Sequence, residues 1–336
     1  MTKIRGESDK TTLNELTEED VVQLITEKIV NGPGVGEYLK HPDDARDLLP
    51  KAPRILLSMD AYSIESLMLP WRTRFDLGWA SLTGAISDIV AKGGIPYACM
   101  IALGLPKTMR VESLEELLDG IYEASKYYGV KILGGDTNSS IEEWIAVSVI
   151  GFTTAKTPPS RRGLKPGDII VATGIYGAMG YVVKHGFEKS MKEPWVVTYT
   201  KRPKVKVEQG YVIESNYRFI TASMDVSDGL GYTLNELSKL SGYGLKLTNP
   251  PKTPEKIIEI CDNSVECIME YALIGGEEYG VVIGIKPEGF KNVVKELEYF
   301  NVDYATIGVV ASSEPGVYIN DKKVSFKRYD QFKKWV

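Results

Sequence analysis

Aspartates beside small residues are the side chains of this chain best suited to chemistry. They occur in the segments PDDA, SMD, SD, GGD and DVSDG, and they are Asp43, Asp44, Asp60, Asp88, Asp136, Asp225 and Asp228. Carboxylate oxygens are preferred Mg²⁺ ligands, and Mg²⁺ commonly joins a few carboxylates to substrate phosphates. Converging carboxylates without a cation would repel one another, which raises their pKa values. A single aspartate in a turn is usually a cap or an Asx turn, but the recurrence predicts a Mg²⁺ site.

Two glycine-rich segments are weaker candidates for binding phosphate. The segment GPGVG at 32–36 could close over a phosphate or form an ordinary connector. Gly174, Gly177 and Gly180 follow a predicted strand but lack the spacing of the dinucleotide fingerprint, which favours a simple strand-turn-helix. The G-x-x-x-x-G-K-[ST] pattern does not occur, so a P-loop is excluded.

Histidine and cysteine chemistry is restricted by composition. The two histidines, His41 and His185, exclude a histidine-rich metal site, and no G-x-S-x-G segment supports a serine hydrolase. Cys99, Cys261 and Cys267 are too few for a disulfide framework and form no C-x-x-C pair. We therefore expect the cysteines to be small buried apolar residues.

The elements that must position the aspartates alternate irregularly between helix and strand. Thr17 is the predicted N-cap of an amphipathic helix, and Gly129 is predicted to end another. Helices are predicted over 76–92 and 112–129, and strands over 54–59, 98–105 and 144–154. This irregular order favours an α+β fold over a strict parallel βαβ series.

Composition and charge limit the classes of protein and the partners that fit this sequence. The 336 residues include 40 Lys and Arg against 45 Asp and Glu, for a net charge of −5, and 43% are hydrophobic. A folded chain of two domains is expected, and the proline- and charge-rich stretch 155–168 predicts the linker between domains 1–155 and 156–336. Without a basic field or a long apolar stretch, we expect no nucleic-acid partner, no membrane partner and a cytoplasmic location.

A series of segments, in order along residues 20–332, resembles the AIR synthase (PurM-like) superfamily and, within it, the thiamine-monophosphate kinase family. The segments are HPDDARDL, SMD, GAISDIVAKGGIP, GVKILGGDTN, RRGLKPGDIIVATG, ASMDVSDGL and ALIGGEEYG. The resemblance implies a two-domain PurM-like fold, with an N-terminal domain that binds ATP and Mg²⁺ and dimerises through its sheet. It further implies a C-terminal α/β sandwich domain, a homodimer, ATP as co-substrate and a small-molecule phosphate as acceptor.

Carried onto this sequence, the family motifs imply a role for each matching residue. Catalysis falls to Asp44, Asp60 and Asp88. The implied metal ligands are Asp44, Ser58, Asp60, Asp88, Asp136, Asp225 and Asp228. ATP contacts fall on Gly135, Asp136, Arg161 and Ser227, and substrate contacts on Glu65, Met68, Glu277 and Tyr329. Arg161 could instead be an ordinary linker charge, and Tyr329 could instead close a core.

The implied reaction is direct in-line transfer of the ATP γ-phosphoryl group to thiamine monophosphate, which needs no general base because the acceptor phosphate is already ionised. In this chain Leu67 or Met68 occupies the place of the histidine that the family carries after the Asp60 segment. Two alternatives stay open. One is another ATP-dependent enzyme of the superfamily with a different phosphate- or carbonyl-bearing substrate, and the other is a non-catalytic nucleotide-binding dimer.

Overall fold

The structure is a computed structural model that describes residues 12–30, 45, 47–326, 329–330 and 334–335. The chain forms two compact units. The first comprises the chain up to Ile86 together with Pro96–Phe152, and the second comprises Ser87–Ile95 and the chain from Thr153 onward. The predicted linker 155–168 contains no helix or strand, and it follows the last strand of the first unit.

The first unit is built on a four-stranded sheet. Its elements in chain order are α1 (Glu18–Ile29), β1 (Arg54–Ser63), α2 (Arg74–Ala91), β2 (Ile95–Leu105), α3 (Val111–Tyr128), β3 (Lys131–Ser139) and β4 (Trp144–Thr153). The strand order is β1-β4-β2-β3, with β2 and β3 parallel. Helix α2 begins in the first unit and ends in the second.

Local signals in the sequence account for the helix ends of the first unit. Thr17 caps α1 through a capping box with Asp20, as predicted from its side chain and position. Gly129 ends α3 in the left-handed conformation at φ 66°, also as predicted. Both residues satisfy backbone groups that the end of a helix leaves without partners.

Two glycines let α2 and α3 pack closely in the first unit. A Cβ atom at Gly120 would lie 1.9 Å from the carbonyl oxygen of Phe75, and one at Gly78 would lie 2.2 Å from that of Leu117. No side chain fits at such distances. The backbones therefore touch directly, and this fixes the first-unit part of α2 against α3.

The second unit is built on a seven-stranded mixed sheet. Its elements are β5 (Ile169–Thr173), α4 (Ala178–Ser190), α5 (Pro194–Thr200), α6 (Glu208–Ser215), β6 (Ile220–Asp225), α7 (Leu230–Ser241), β7 (Gly244–Leu247), α8 (Glu255–Ile260), α9 (Val265–Ala272), β8 (Val281–Ile285), α10 (Phe290–Tyr299), β9 (Tyr304–Ala311), β10 (Gly316–Ile319) and β11 (Lys322–Val324). The strand order is β11-β10-β7-β9-β5-β8-β6. A short pair, β12 (Tyr329–Asp330) and β13 (Lys334–Trp335), follows.

The core of the second unit lies between this sheet and α7. Leu230, Leu234 and Leu237 form one buried stripe on α7, at the spacing of successive helical turns. They belong to the same cluster as Ala222 and Met224 of β6. Because the cluster holds β6 from one side, the polar residue that ends this strand, Asp225, has a fixed position.

The α+β prediction is confirmed by the two mixed α/β units. The interpretation of the cysteines is wrong in part. Cys99 is buried and free, but Cys261 and Cys267 form a disulfide across the turn between α8 and α9, with Cα atoms 5.4 Å apart. Their separation of six residues resembles no recognised motif, so the sequence carried no signal for the pair. Among the described residues, no helix has the length and apolarity required to cross a bilayer.

Candidate active site

A charged cluster in the second unit brings together residues that are far apart in the sequence. Asp225 ends β6, and Ser87 and Asp88 lie in the last turns of α2. The Ser87 hydroxyl donates a hydrogen bond of 2.9 Å to Asp225 Oδ2. Arg161 comes from the stretch after β4, and its Nη2 lies 3.8 Å from Asp225 Oδ1 and 4.0 Å from Asp88 Oδ1. One guanidinium therefore faces two carboxylates.

Backbone contacts hold the end of α2 beside β6. Gly93 takes a φ of +68° and the Gly94 N–H donates to the Ile89 carbonyl, which ends the helix. The Ser223 hydroxyl, on β6, donates to the carbonyl oxygen of Ala91. A helix end with its carbonyls satisfied in this way is fixed rather than frayed, so the spacing between Ser87, Asp88 and Asp225 is a property of the fold.

The carboxyl group of Asp225 is buried, with 3% of its residue surface exposed. Burial and, second to it, the neighbouring Asp88 carboxylate raise the pKa of Asp225 to about 6. Hydrogen bonds from Ser87 and Ser227 and the positive charge of Arg161 oppose that rise. These partners keep Asp225 mostly ionised at neutral pH.

Lys92, for which the sequence motifs predict no role, adds a second cation to the cluster. Its Nζ donates to the carbonyl oxygen of Ser223, and burial lowers the pKa of Lys92 to about 8. The positive charge of Arg161 contributes to this lowering of the Lys92 pKa, whereas Asp225 and Asp88 oppose it. The described part of the cluster thus contains two carboxylates and two cationic side chains.

The donor set of the cluster suits a hard cation that also binds phosphate. Within the described part of the chain, no three His, Cys, Asp or Glu side chains come together as a metal-binding group. Asp88 and Asp225 provide a pair of carboxylates, and Mg²⁺ typically takes one or two carboxylates together with water and substrate phosphates. The pair therefore fits Mg²⁺ in the presence of a nucleotide.

A strained loop lies against the segment that follows β6. The Glu277 N–H donates to the Ser227 carbonyl at 2.7 Å, and the Tyr279 N–H donates to that of Val226 at 3.0 Å. Glu277 has φ 57° and Tyr279 has φ 42°, a region that L-residues other than Asn and Asp seldom adopt. The structure thus brings Ser227 and Glu277 together through their backbones, and strain of this kind is concentrated at functional sites.

Glu278 in the same loop was also missed by the sequence analysis. Its Oε1 accepts hydrogen bonds from the N–H groups of Gly177 at 2.8 Å and Met179 at 3.2 Å, at the start of α4. Its Oε2 is buried and makes no hydrogen bond within the described residues. Burial raises the pKa of Glu278 to about 8 despite the backbone donors. An acid in a glycine-rich turn gives no sign in the sequence that it will be buried.

The acidic residues of the first unit have neutral hydrogen-bond donors beside them. Asp60 Oδ2 accepts from the Tyr62 hydroxyl at 3.0 Å, and Asp136 Oδ2 accepts from the Asn138 amide at 2.8 Å. The Ser58 carbonyl accepts from the Ser148 hydroxyl at 3.3 Å.

Gly135 has a packing role that accounts for its identity. A Cβ atom at Gly135 would lie 1.5 Å from the carbonyl oxygen of Ile101, its register partner on β2. Only glycine fits at that distance.

The remaining predicted site residues fall in several places. Glu65 and Met68 are exposed at the short 3₁₀ turn after β1, whereas Leu67 is buried. Asp228 is exposed in the turn before α7. Tyr329 is described only as part of β12. Asp43, Asp44, His41 and the 32–36 segment lie outside the described residues.

Comparisons with known proteins identify the family. Residues 42–153 match the family described as "AIR synthase related protein, N-terminal domain". Thiamine-monophosphate kinase of Pyrococcus horikoshii is 31% identical over 265 residues, which are 76% of this chain and 80% of the relative. That of Nitrosopumilus maritimus is 28% identical over 318 residues, covering 93% of this chain and 96% of the relative.

A solved structure extends the likeness to the fold. Thiamine monophosphate kinase from Aquifex aeolicus matches with a TM-score of 0.66 at 25% identity, covering 94% of this chain and 99% of that one. The PurM-like fold expected from the motifs is thereby confirmed. The chain belongs to the thiamine-monophosphate kinase family and is a phosphotransferase.

Proposed function

We propose that this enzyme transfers the γ-phosphoryl group of ATP to thiamine monophosphate, forming thiamine diphosphate and ADP. The observation that carries the proposal is the Asp88–Asp225 carboxylate pair with Arg161 between them. An arginine, together with a metal ion held by carboxylates, supplies the positive charge that neutralises phosphate groups as they approach each other. The substrate is the one that the names of the relatives give.

In the proposed reaction, a phosphate oxygen of thiamine monophosphate attacks the γ-phosphorus of ATP in line with the β,γ-bridging oxygen. A new P–O bond forms to the acceptor, the bond to the bridging oxygen breaks, and ADP leaves with that electron pair. The acceptor oxygen is ionised at neutral pH, so no proton has to be removed from it. The barrier is therefore mainly the repulsion between two anions, which positive charge lowers.

Arg161 is proposed to supply part of that charge. Its side chain is 45% exposed, so its N–H groups can reach phosphate oxygens as well as Asp88 and Asp225. Asp88 and Asp225 would hold Mg²⁺, which neutralises phosphate oxygens and polarises the transferring group when bound. Ser227 is proposed to contact the nucleotide from the turn that also touches Glu277.

The remaining roles rest on the family motifs. Further metal contacts are proposed for Asp44, Ser58, Asp60, Asp136 and Asp228. Nucleotide contacts are also proposed for Gly135 and Asp136, and substrate contacts for Glu65, Met68, Glu277 and Tyr329. Domain limits of 1–155 and 156–336 are likewise proposed.

A second candidate is an ATP-dependent reaction on a different phosphate- or carbonyl-bearing acceptor. Met68 favours it, because a thioether that is 44% exposed stands where the family carries a histidine. Methionine packs against apolar surfaces but cannot donate a hydrogen bond. An acceptor with a larger apolar part would suit it better than one that needs a donor there.

The two candidates are separated by product analysis. Purified enzyme is incubated with ATP and Mg²⁺, with and without thiamine monophosphate, and thiamine diphosphate is quantified by chromatography. We expect its formation, and loss of at least ~100-fold in Asp88→Asn, because the exchange removes one anionic ligand of the proposed metal site. Asp119→Asn, at an exposed ion pair with Lys28, is the matched control. ATP binding without this product would favour the second candidate.

We also propose that the enzyme is a homodimer joined through the sheet of the first unit. Ile55, Leu57 and Met59 alternate along β1 and are 50%, 73% and 66% exposed, and Met100 of β2 is 43% exposed. Exposed apolar residues in a row mark surfaces that another protein covers. In light scattering, the enzyme should have twice the mass of one chain. Leu57→Glu should give a single-chain mass, whereas Ile141→Glu, at a loop residue that is 97% exposed, should not.

A further inference from the structure

Lys92 occupies an unusual position for a lysine at the end of a helix. It follows α2 directly, at the end where the helix dipole favours a positive charge. Lysines at such positions usually extend into solvent. The Lys92 ammonium instead donates to the carbonyl oxygen of Ser223 on β6 and faces Asp88, Asp225 and Arg161. A role in ending the helix does not account for that direction.

The formal charges of the four described side chains in this cluster balance one another. Asp88 and Asp225 contribute two negative charges, and Arg161 and Lys92 contribute two positive ones. The two cations differ in freedom. The Arg161 side chain is 45% exposed and held at 3.8 to 4.0 Å from the carboxylates, whereas Lys92 is bound to backbone. Arg161 is therefore the freer of the two cations to turn toward a phosphate, and Lys92 is the more fixed.

We propose that Lys92 is a fixed positive charge of the nucleotide site, which favours binding of phosphate groups and disfavours binding of a bare divalent cation at Asp88 and Asp225. The inference rests on the proposed function only in taking this cluster as the site for the ATP phosphates. Two like charges repel each other over several ångströms inside a protein, where screening is weak. The ammonium therefore opposes a metal ion bound without nucleotide and attracts the nucleotide itself. Metal and nucleotide then bind together in preference to metal alone.

Binding measurements on the full chain test this proposal without the acceptor. Mn²⁺ binding is measured by electron paramagnetic resonance without nucleotide, and ADP binding by calorimetry in EDTA. In Lys92→Met we expect the Kd for Mn²⁺ to fall ~10-fold and the Kd for ADP to rise ~10-fold, at effective dielectric constants of about 20. In Lys92→Arg, which keeps the charge, both should stay within ~3-fold of the wild type.

The opposite directions of the two changes are the decisive readout. If Lys92 had a merely structural role, Lys92→Met would weaken the binding of both Mn²⁺ and ADP or of neither. Either result would overturn the proposal. Lys291→Met, at an exposed position on α10, controls for the loss of one charge from the protein. If Lys92→Met does not fold by circular dichroism, Lys92→Gln, which keeps a donor for the Ser223 carbonyl, is measured with the same expectations.

The outcome is distinguishable from failure of the proposed function. Neither assay contains thiamine monophosphate, so opposite shifts without formation of thiamine diphosphate would retain the role of Lys92 and redirect the search to another acceptor. Wild-type protein that binds ADP neither in EDTA nor in the presence of Mn²⁺ would overturn both proposals.

Discussion

Asp225 and Glu278 are two acidic side chains of the second unit that are removed from water in different surroundings. Asp225 receives a hydroxyl hydrogen bond from Ser87 and lies 3.8 Å from the guanidinium of Arg161. Glu278 receives backbone hydrogen bonds from Gly177 and Met179 at the start of α4, and its second oxygen is buried without a hydrogen bond among the described residues. Both side chains are carboxylic acids. Asp225 has the positively charged Arg161 guanidinium 3.8 Å away, whereas the hydrogen-bond donors to Glu278 are neutral backbone N–H groups.

Burial raises the pKa of both groups, to about 6 for Asp225 and about 8 for Glu278. Cations and hydroxyls compensate the ionised form of Asp225 well enough to leave it mostly charged at neutral pH. Backbone dipoles compensate Glu278 less, so it is mostly protonated there. The difference teaches that burial alone does not mark a catalytic acid. The surrounding charges decide whether a buried carboxyl group binds cations or holds a loop in place.

The largest expected effect tests the ionised member of the comparison. Asp225→Asn should lower the rate of thiamine diphosphate formation by at least ~100-fold, because a neutral amide cannot replace a carboxylate ligand. The free energy of unfolding in urea should change by less than about 1 kcal/mol, because the amide keeps the volume and a hydrogen bond to Ser87. Asp321→Asn, at an exposed pair with Lys246, is the control. Activity within ~3-fold of the wild type would remove Asp225 from the site.

The next effect tests the protonated member. Glu278→Ala should destabilise the enzyme by about 3 kcal/mol in urea unfolding, because the Gly177 and Met179 N–H groups lose their acceptor and a cavity forms. Glu278→Gln keeps an oxygen acceptor and should cost less than about 1 kcal/mol at pH 7. Equal losses in the two variants would show that Glu278 is ionised in the folded protein, contrary to the comparison.

The next effect depends on pH and is smaller for each pH unit. The pKa of Glu278 is raised from 4.5 to about 8, so between these values the folded protein holds a proton that the unfolded chain has released. The stability contribution is therefore full below about pH 4.5 and is lost as pH rises toward 8, by at most about 1.4 kcal/mol per pH unit.

Unfolding free energies of wild type and Glu278→Gln, measured from pH 5.5 to 8.5, should diverge accordingly. The wild type should lose stability relative to the variant as pH rises. Titration of Asp225 and Lys92 contributes equally to both proteins and cancels in the difference. Parallel curves would contradict the raised pKa.

The smallest effect concerns the hydroxyl that distinguishes the surroundings of Asp225. Ser87→Ala removes a hydrogen bond to the ionised carboxylate, which should raise the pKa of Asp225 further and cost about 1 kcal/mol of stability at pH 7. The acid limb of the activity profile should move to higher pH, whereas Ser66→Ala, at an exposed turn, should leave it in place. An unchanged acid limb would assign that limb to another group.

Local signals in the sequence predicted the fold well where they are strong. The apolar spacing over 112–129 and the glycine after it correspond to α3 and its left-handed end. The strand predicted over 54–59 continues to Ser63, with Asp60 and Tyr62 hydrogen-bonded to each other along it. Polar residues usually end a strand, and the place of β1 beside β4 in the sheet is visible only in the tertiary structure.

The charged cluster was predicted in part, from the motifs that carry Asp88, Arg161 and Asp225. Lys92 and Glu278 were missed because each has an ordinary interpretation in sequence, as a charge at a helix end and as an acid in a turn. Their burial depends on segments more than 90 residues away, such as β6 for Lys92 and the start of α4 for Glu278. The roles of the predicted site residues stay predictions until the variants are measured.

The disulfide between Cys261 and Cys267 leaves Cys99 as the one thiol among the three cysteines of the chain. Cys99 lies on β2 with 1% of its surface exposed, and burial raises the pKa of its thiol to about 12. A thiol reagent therefore has no thiolate to attack while the first sheet is closed. The rate at which a thiol reagent labels Cys99 in native buffer would therefore report how often that sheet opens.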